Sequence, residues 1–152
     1  MRHLNYALAA LVIAGAGLGA PAAGADPAKP VSLPRTAAPS GVELYFISPK
    51  DGDVVGEELT VRFGLRGMGV SPAGTIKEKT GHHHLLIDTE SLPSLDQPIP
   101  ADDHHVHFGG GQTETTIRLK PGKHSLQLDL ADALHMQFDP PIVSQKITVT
   151  VK

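Results

Sequence analysis

The chain has 152 residues, a formal net charge of -3 and no cysteine. Its length makes one domain the expectation. The missing cysteine excludes disulfides, thiolate ligands, a cysteine nucleophile and a lipid-bearing N-terminal Cys. The mildly acidic balance offers no basic patch for nucleic acid or an anionic membrane.

Residues 1–25 read as a secretory signal. Arg2 and His3 are followed by an apolar run from Ala7 to Ala20, shorter than the roughly 20 residues of a membrane span. Ala23-Gly24-Ala25 places small side chains at a cleavage site before Asp26. The expectation is therefore a periplasmic or secreted protein. Residues 26–40 carry Pro27, Pro30, Pro34 and Pro39 without apolar periodicity, which predicts a flexible linker.

From residue 41 the pattern is that of strands. Val42, Leu44 and Phe46 alternate with Glu43, Tyr45 and Ile47, and Pro49-Lys50-Asp51-Gly52 signals a turn. Leu59, Val61, Phe63 and Leu65 alternate with Thr60, Arg62, Gly64 and Arg66, the period of a half-buried strand. Gly67 to Gly81 reads as a loop and His82 to Asp88 as a strand. Thr89 to Asp103 is a long Pro-containing connection, a length at which loops are often functional. A short extended segment at His104 to Phe108 leads into a triple glycine. Thr113 to Leu119 and His124 to Leu130 alternate again. Ala131 to Pro141 reads as a loop, and Ile147, Val149 and Val151 form the last strand. About seven short strands without a helical period, across residues 41–152, predict an all-β, immunoglobulin-like antiparallel β-sandwich. An eight-stranded barrel or a copper-protein-like sandwich is the alternative arrangement.

Six of the nine histidines lie in two segments, His82-His83-His84 and His104-His105-Val106-His107. Neutral imidazole is the commonest protein metal ligand. Side chains at i and i+2 of a strand share a face, so His82 with His84, and His105 with His107, each form a pair able to converge on one ion. The predicted metal ligands are therefore His82, His84, His105 and His107. His83 on the same strand, and His135, Met68 and Met136 on neighbouring loops, stand in reserve. His83 replaces its neighbours if the strand is turned over. If instead Leu85 and Ile87 face the core, His83 turns inward and Leu86 joins His82 and His84 outside. Asp102 and Asp103 are candidates to orient imidazoles, with a plain polar loop as the alternative. His3 and His124 read as ordinary histidines.

Gly67-Met68-Gly69-Val70, Pro72-Ala73-Gly74, Gly81-His82-His83-His84-Leu85-Leu86-Ile87-Asp88, His107-Phe108-Gly109, Gly111-Gln112-Thr113-Glu114, Pro121-Gly122-Lys123-His124 and Pro140-Pro141-Ile142-Val143-Ser144 together resemble bacterial domain-of-unknown-function family 4399. The resemblance spans about residues 42–151. It implies an exported, compact, single-domain protein and supplies no activity.

A nitrogen-rich site favours copper over zinc by the Irving–Williams order, and a nearby Met would suit Cu(I). The expected function is non-enzymatic metal capture, buffering or transfer, with another periplasmic protein as the transfer partner. A metalloenzyme with an open coordination position, using Asp102, Asp103 or Glu114 as base, is one alternative. A metal-free module binding protein or glycan is the other.

Overall fold

The computed structural model describes residues 33–152, so the predicted signal segment and the start of the predicted linker lie outside the described residues. Among the described residues there are ten strands and no helix. They are β1 (Glu43–Ser48), β2 (Val54–Val55), β3 (Glu58–Arg66), β4 (Gly69–Val70), β5 (Thr80–Ile87), β6 (His105–His107), β7 (Glu114–Arg118), β8 (Gly122–Ala131), β9 (Gln137–Val143) and β10 (Ile147–Val151).

A three-stranded sheet, β1-β3-β7, faces a larger one ordered β2-β10-β8-β5-β4, with β6 added to β5 and β9 to β8. Pairing is antiparallel except at the short edge pairs β2 with β10 and β4 with β5. With the two shortest strands set aside, β1-β3-β7 opposite β10-β8-β5-β6 is the A-B-E against G-F-C-C′ order of the immunoglobulin sandwich. The core between the sheets takes Leu44, Phe46, Val61 and Phe63 from one side and Leu85, Ile87, Leu126, Leu128 and Leu130 from the other. These are the apolar positions of the period-2 pattern, and the sandwich forms because each sheet buries its apolar face against the other.

The strand count exceeds the expected seven for identifiable reasons. Two of the extra strands, β2 and β4, are two-residue edge pairs with too short a pattern to read. The third, β9, occupies a stretch expected to be loop. Its Asp139-Pro140-Pro141 reads as a strand breaker. Here β9 is an edge continuation of β10 along β8, with Asp129 opposite Val143 and Leu126 opposite Ile147. The interruption falls at Ser144, whose hydroxyl accepts the Leu128 N–H.

The N-terminal arm also differs from a flexible linker as far back as Arg35. Arg35 donates to the Gln137 and Phe138 carbonyls, Thr36 Oγ1 donates to Asp132, and Ala37 bridges Asp139. Backbone polar groups on β9 draw these residues onto the edge of the sheet.

At the end of β5 a polar staple closes the sheet. His124 Nδ1 lies 2.7 Å from Asp88 Oδ2 and its Nε2 lies 2.8 Å from the Lys120 carbonyl. Both partners are acceptors, so the ring serves both only as an imidazolium. The Asp88 bond is the main cause that raises its pKa. A raised histidine pKa stabilises the fold below the unfolded value of about 6.5, and that stability is lost as pH rises through the folded value. We expect His124→Ala to cost about 1 kcal/mol at pH 6, the scale of a partly exposed charge-assisted pair. That corresponds to a melting temperature lower by roughly 3–6 °C, with a much smaller deficit at pH 9. A deficit equal at both pH values would show that the ring acts by packing alone.

Candidate metal centre

The register question at β5 resolves with Leu85 and Ile87 in the inter-sheet core. His83 therefore points inward, fully buried, with its ring 5.1 Å from that of Phe63. Burial pushes it down to about 4, only partly countered by the Gln112 backbone. It is a core group on the wrong face to meet the other histidines. His82, His84 and Leu86 project from the outer face of the large sheet.

That outer face is not solvent. The loop from Thr89 to His104 starts at the far end of β5 and folds back across it. Ile99 is buried, its N–H donates to the His135 carbonyl, and the Gln137 side chain donates to the Pro93 carbonyl. The loop reaches the site by crossing the sheet, which buries both faces of β5.

Four imidazoles meet there. His82 and His84 come from β5, His107 from the end of β6, and His135 from the β8–β9 hairpin. One nitrogen from each lies within 4.8 Å of those of the other three. His107 arrives because β6 pairs antiparallel to β5 with His107 directly opposite His84, which stacks their rings at 5.0 Å. His135 has φ of 64° at the hairpin tip. Asp132 holds that tip by accepting the Leu134 and Met136 N–H groups. His82 Nε2 and His135 Nδ1 are 3.2 Å apart.

Two glycines make room for this. A Cβ on Gly81 would lie 2.7 Å from the Ala131 carbonyl oxygen, so β5 and β8 approach as they do only with glycine at the head of the histidine run. A Cβ on Gly109 would lie 2.4 Å from His107 Cε1, inside the ring's space.

Burial dominates the electrostatics. It pushes His82 down to about 4, with the His135 and His107 rings adding to the shift. His84 falls to about 2 by burial, then by its imidazole neighbours. His107 is lowered by burial and by His135. The three rings are thus neutral at pH 7, the form that binds metal.

The remaining candidates stand elsewhere. His105 shares the outer face, one pair further along and opposite Leu86, but it is outside the four-imidazole cluster. Its Nδ1 is held by Asp102 at 2.8 Å. Asp102 thus orients His105, and that bond is the main cause holding its carboxyl below the usual range. Asp103 is exposed, and Glu114 pairs with Arg62 on the surface at 3.0 Å. Met68 packs against the inter-sheet core. Met136 is fully buried next to His135, in the turn that Asp132 caps.

Sequence reasoning missed Asp129. It is fully buried in β8, directly opposite His84, and neither carboxylate oxygen makes a hydrogen bond of good geometry among the described residues, the Leu130 backbone N–H coming only near enough to lower its pKa. Burial raises its pKa to about 8, opposed by Arg35.

Fold and site together define an immunoglobulin-type β-sandwich with a four-histidine cluster, two rings buried and two half-buried, on the covered outer face of its larger sheet. The chain belongs to the family described as domain of unknown function (DUF4399), whose profile matches residues 61–152. The matched span holds all four clustered histidines and Asp129. No curated protein and no solved structure matches the chain.

Proposed function

We propose that this is an exported protein that holds one transition-metal ion on His82, His84, His107 and His135, with copper favoured over zinc, for capture, buffering or transfer. The observation that carries the reading is the convergence of four imidazole nitrogens within 4.8 Å of one another. Nitrogens sharing one ion at bonds of about 2.0 Å lie roughly 2.9–4.1 Å apart, depending on geometry. The 3.2 Å between His82 Nε2 and His135 Nδ1 already falls in that range. An all-imidazole set favours Cu(II) over Zn(II) by the Irving–Williams order. The exported compartment rests on the N-terminal sequence pattern.

The test is calorimetric titration of the untagged chain with Cu(II), Zn(II) and Ni(II), alongside thermal melts. We expect one ion per chain, Cu(II) tightest, and a melting temperature that rises with metal because the ion binds the native state. Titrations without heat and melts without a shift, for all three ions, would overturn the reading.

A further inference from the structure

Among the buried polar groups that the four-imidazole reading leaves without a role is Asp129. Leu126, Leu128 and Leu130 of β8 point into the inter-sheet core. Asp129 therefore points to the outer face, where the strand register sets it opposite His84 on one side and Val143 on the other. Its carboxylate oxygens are both buried and unpartnered, and so is His84 Nδ1. Directly opposed side chains of neighbouring strands have Cβ atoms roughly 5 Å apart. An acceptor and a possible donor, both orphaned, thus face each other across one strand pair without being bonded. A buried carboxylate left unpaired is costly unless a charge or a donor meets it. Arg35 acts on it only as a nearby charge and gives it no donor, because its guanidinium bonds the Gln137 and Phe138 carbonyls and pairs with Asp139 at 3.3 Å.

We infer that Asp129 is the positioning residue of the metal centre: it accepts the His84 Nδ1–H, turns His84 Nε2 to the ion, and sets a buried negative charge beside a divalent cation. The inference rests on the metal reading above. Ligating histidines commonly give their second nitrogen to a carboxylate, which fixes the tautomer and raises ligand basicity. The charge adds a second effect, present once the ion has displaced the carboxyl proton. Four neutral imidazoles leave the full charge of the ion in a buried site. One carboxylate offsets half the charge of Cu(II) or Zn(II), so it favours a divalent ion over Cu(I).

The test uses the untagged full chain, wild type and Asp129→Asn, titrated with Cu(II) and Zn(II) against a competing chelator and with Cu(I) under anaerobic conditions. The expected result is a loss of divalent affinity of roughly 10–100-fold, with a clearly smaller loss for Cu(I). Unchanged Cu(II) affinity, or equal losses for both oxidation states, would overturn the inference, the latter by showing a merely structural role. A measurement on the wild type covers the case of a variant that does not fold. Long-range 1H–15N correlation of the zinc-loaded protein should find the His84 proton on Nδ1; a proton on Nε2 overturns the assignment. Wild type that binds none of these ions would overturn the metal reading and this inference together. Wild type that binds but fails the oxidation-state or tautomer test overturns only the role of Asp129.

Discussion

Replacing both His82 and His84 by Ala should lower Cu(II) affinity by several orders of magnitude, and His107→Ala or His135→Ala should each lower it by more than 10–100-fold. The yardstick is the roughly 10–100-fold cost of losing a residue that only supports a ligand; losing a ligand nitrogen removes a bond to the ion itself. His105→Ala should stay within a few-fold of wild type, although His105 shares the His-x-His spacing with His107. The difference is one of register. β6 sets His107 beside His84 and His105 beside Leu86, and the His105 ring is already engaged by Asp102. Chelator competition measures all of these, and circular dichroism of the apo variants checks that the sandwich survives. Equal losses in His105→Ala and His107→Ala would mean that the ion sits lower on the sheet than the cluster does.

The contrast between His105 and His107 also marks the limit of what the sequence discloses. Alternation along Leu59–Leu65 and His124–Leu130 was enough to predict strands and a two-sheet core, because period 2 is local. Which histidines converge depends on strand pairing, which is not local. The sequence left two registers open for β5. What decides between them is that Leu85 and Ile87 fill the inter-sheet core, while Leu86 is buried on the outer face. Asp129 was hidden for a related reason. With Ser125 and Gln127 it makes the polar face of an alternating strand, the usual mark of a solvated surface. Nothing local to β8 records that the 89–104 segment, through Ile99 and Pro93, lies over that face. The loop's unusual length was the one available hint. His135 was placed in a loop, and it does lie in one. The hairpin that aims it depends on β9, where two prolines masked the strand.

Between pH 7.5 and 5.5 metal affinity should fall by roughly a hundredfold at most, as the ion displaces the Asp129 proton, whereas ordinary imidazoles would cost far more. Three ordinary histidines with pKa of about 6.5 would each lose roughly a factor of ten at pH 5.5, about a thousandfold in all. In the cluster His82 is held down to about 4 and His84 to about 2, and His107 is lowered too. On these rings protons therefore compete with the ion only in stronger acid. The same shifts act on the apo fold with a definite sign. Between about pH 6.5 and 4 the unfolded chain takes up protons on these imidazoles, and on His83, while the folded chain does not, so stability falls as pH falls. Asp129 opposes this. Its folded pKa of about 8 means that the folded state alone carries that proton between about pH 4 and 8, so its contribution grows as pH falls. One carboxyl works against at least three imidazoles, and the imidazoles win below pH 6.5. Above that pH they are neutral in both states, and Asp129 and the raised His124 both make stability decline as pH rises. The apo melting temperature should therefore peak near pH 6.5 and drop on both sides. A melting temperature that keeps climbing from pH 6.5 to 8.5, or a thousandfold loss of metal affinity at pH 5.5, would mean that the cluster stands open to water rather than closed beneath the loop.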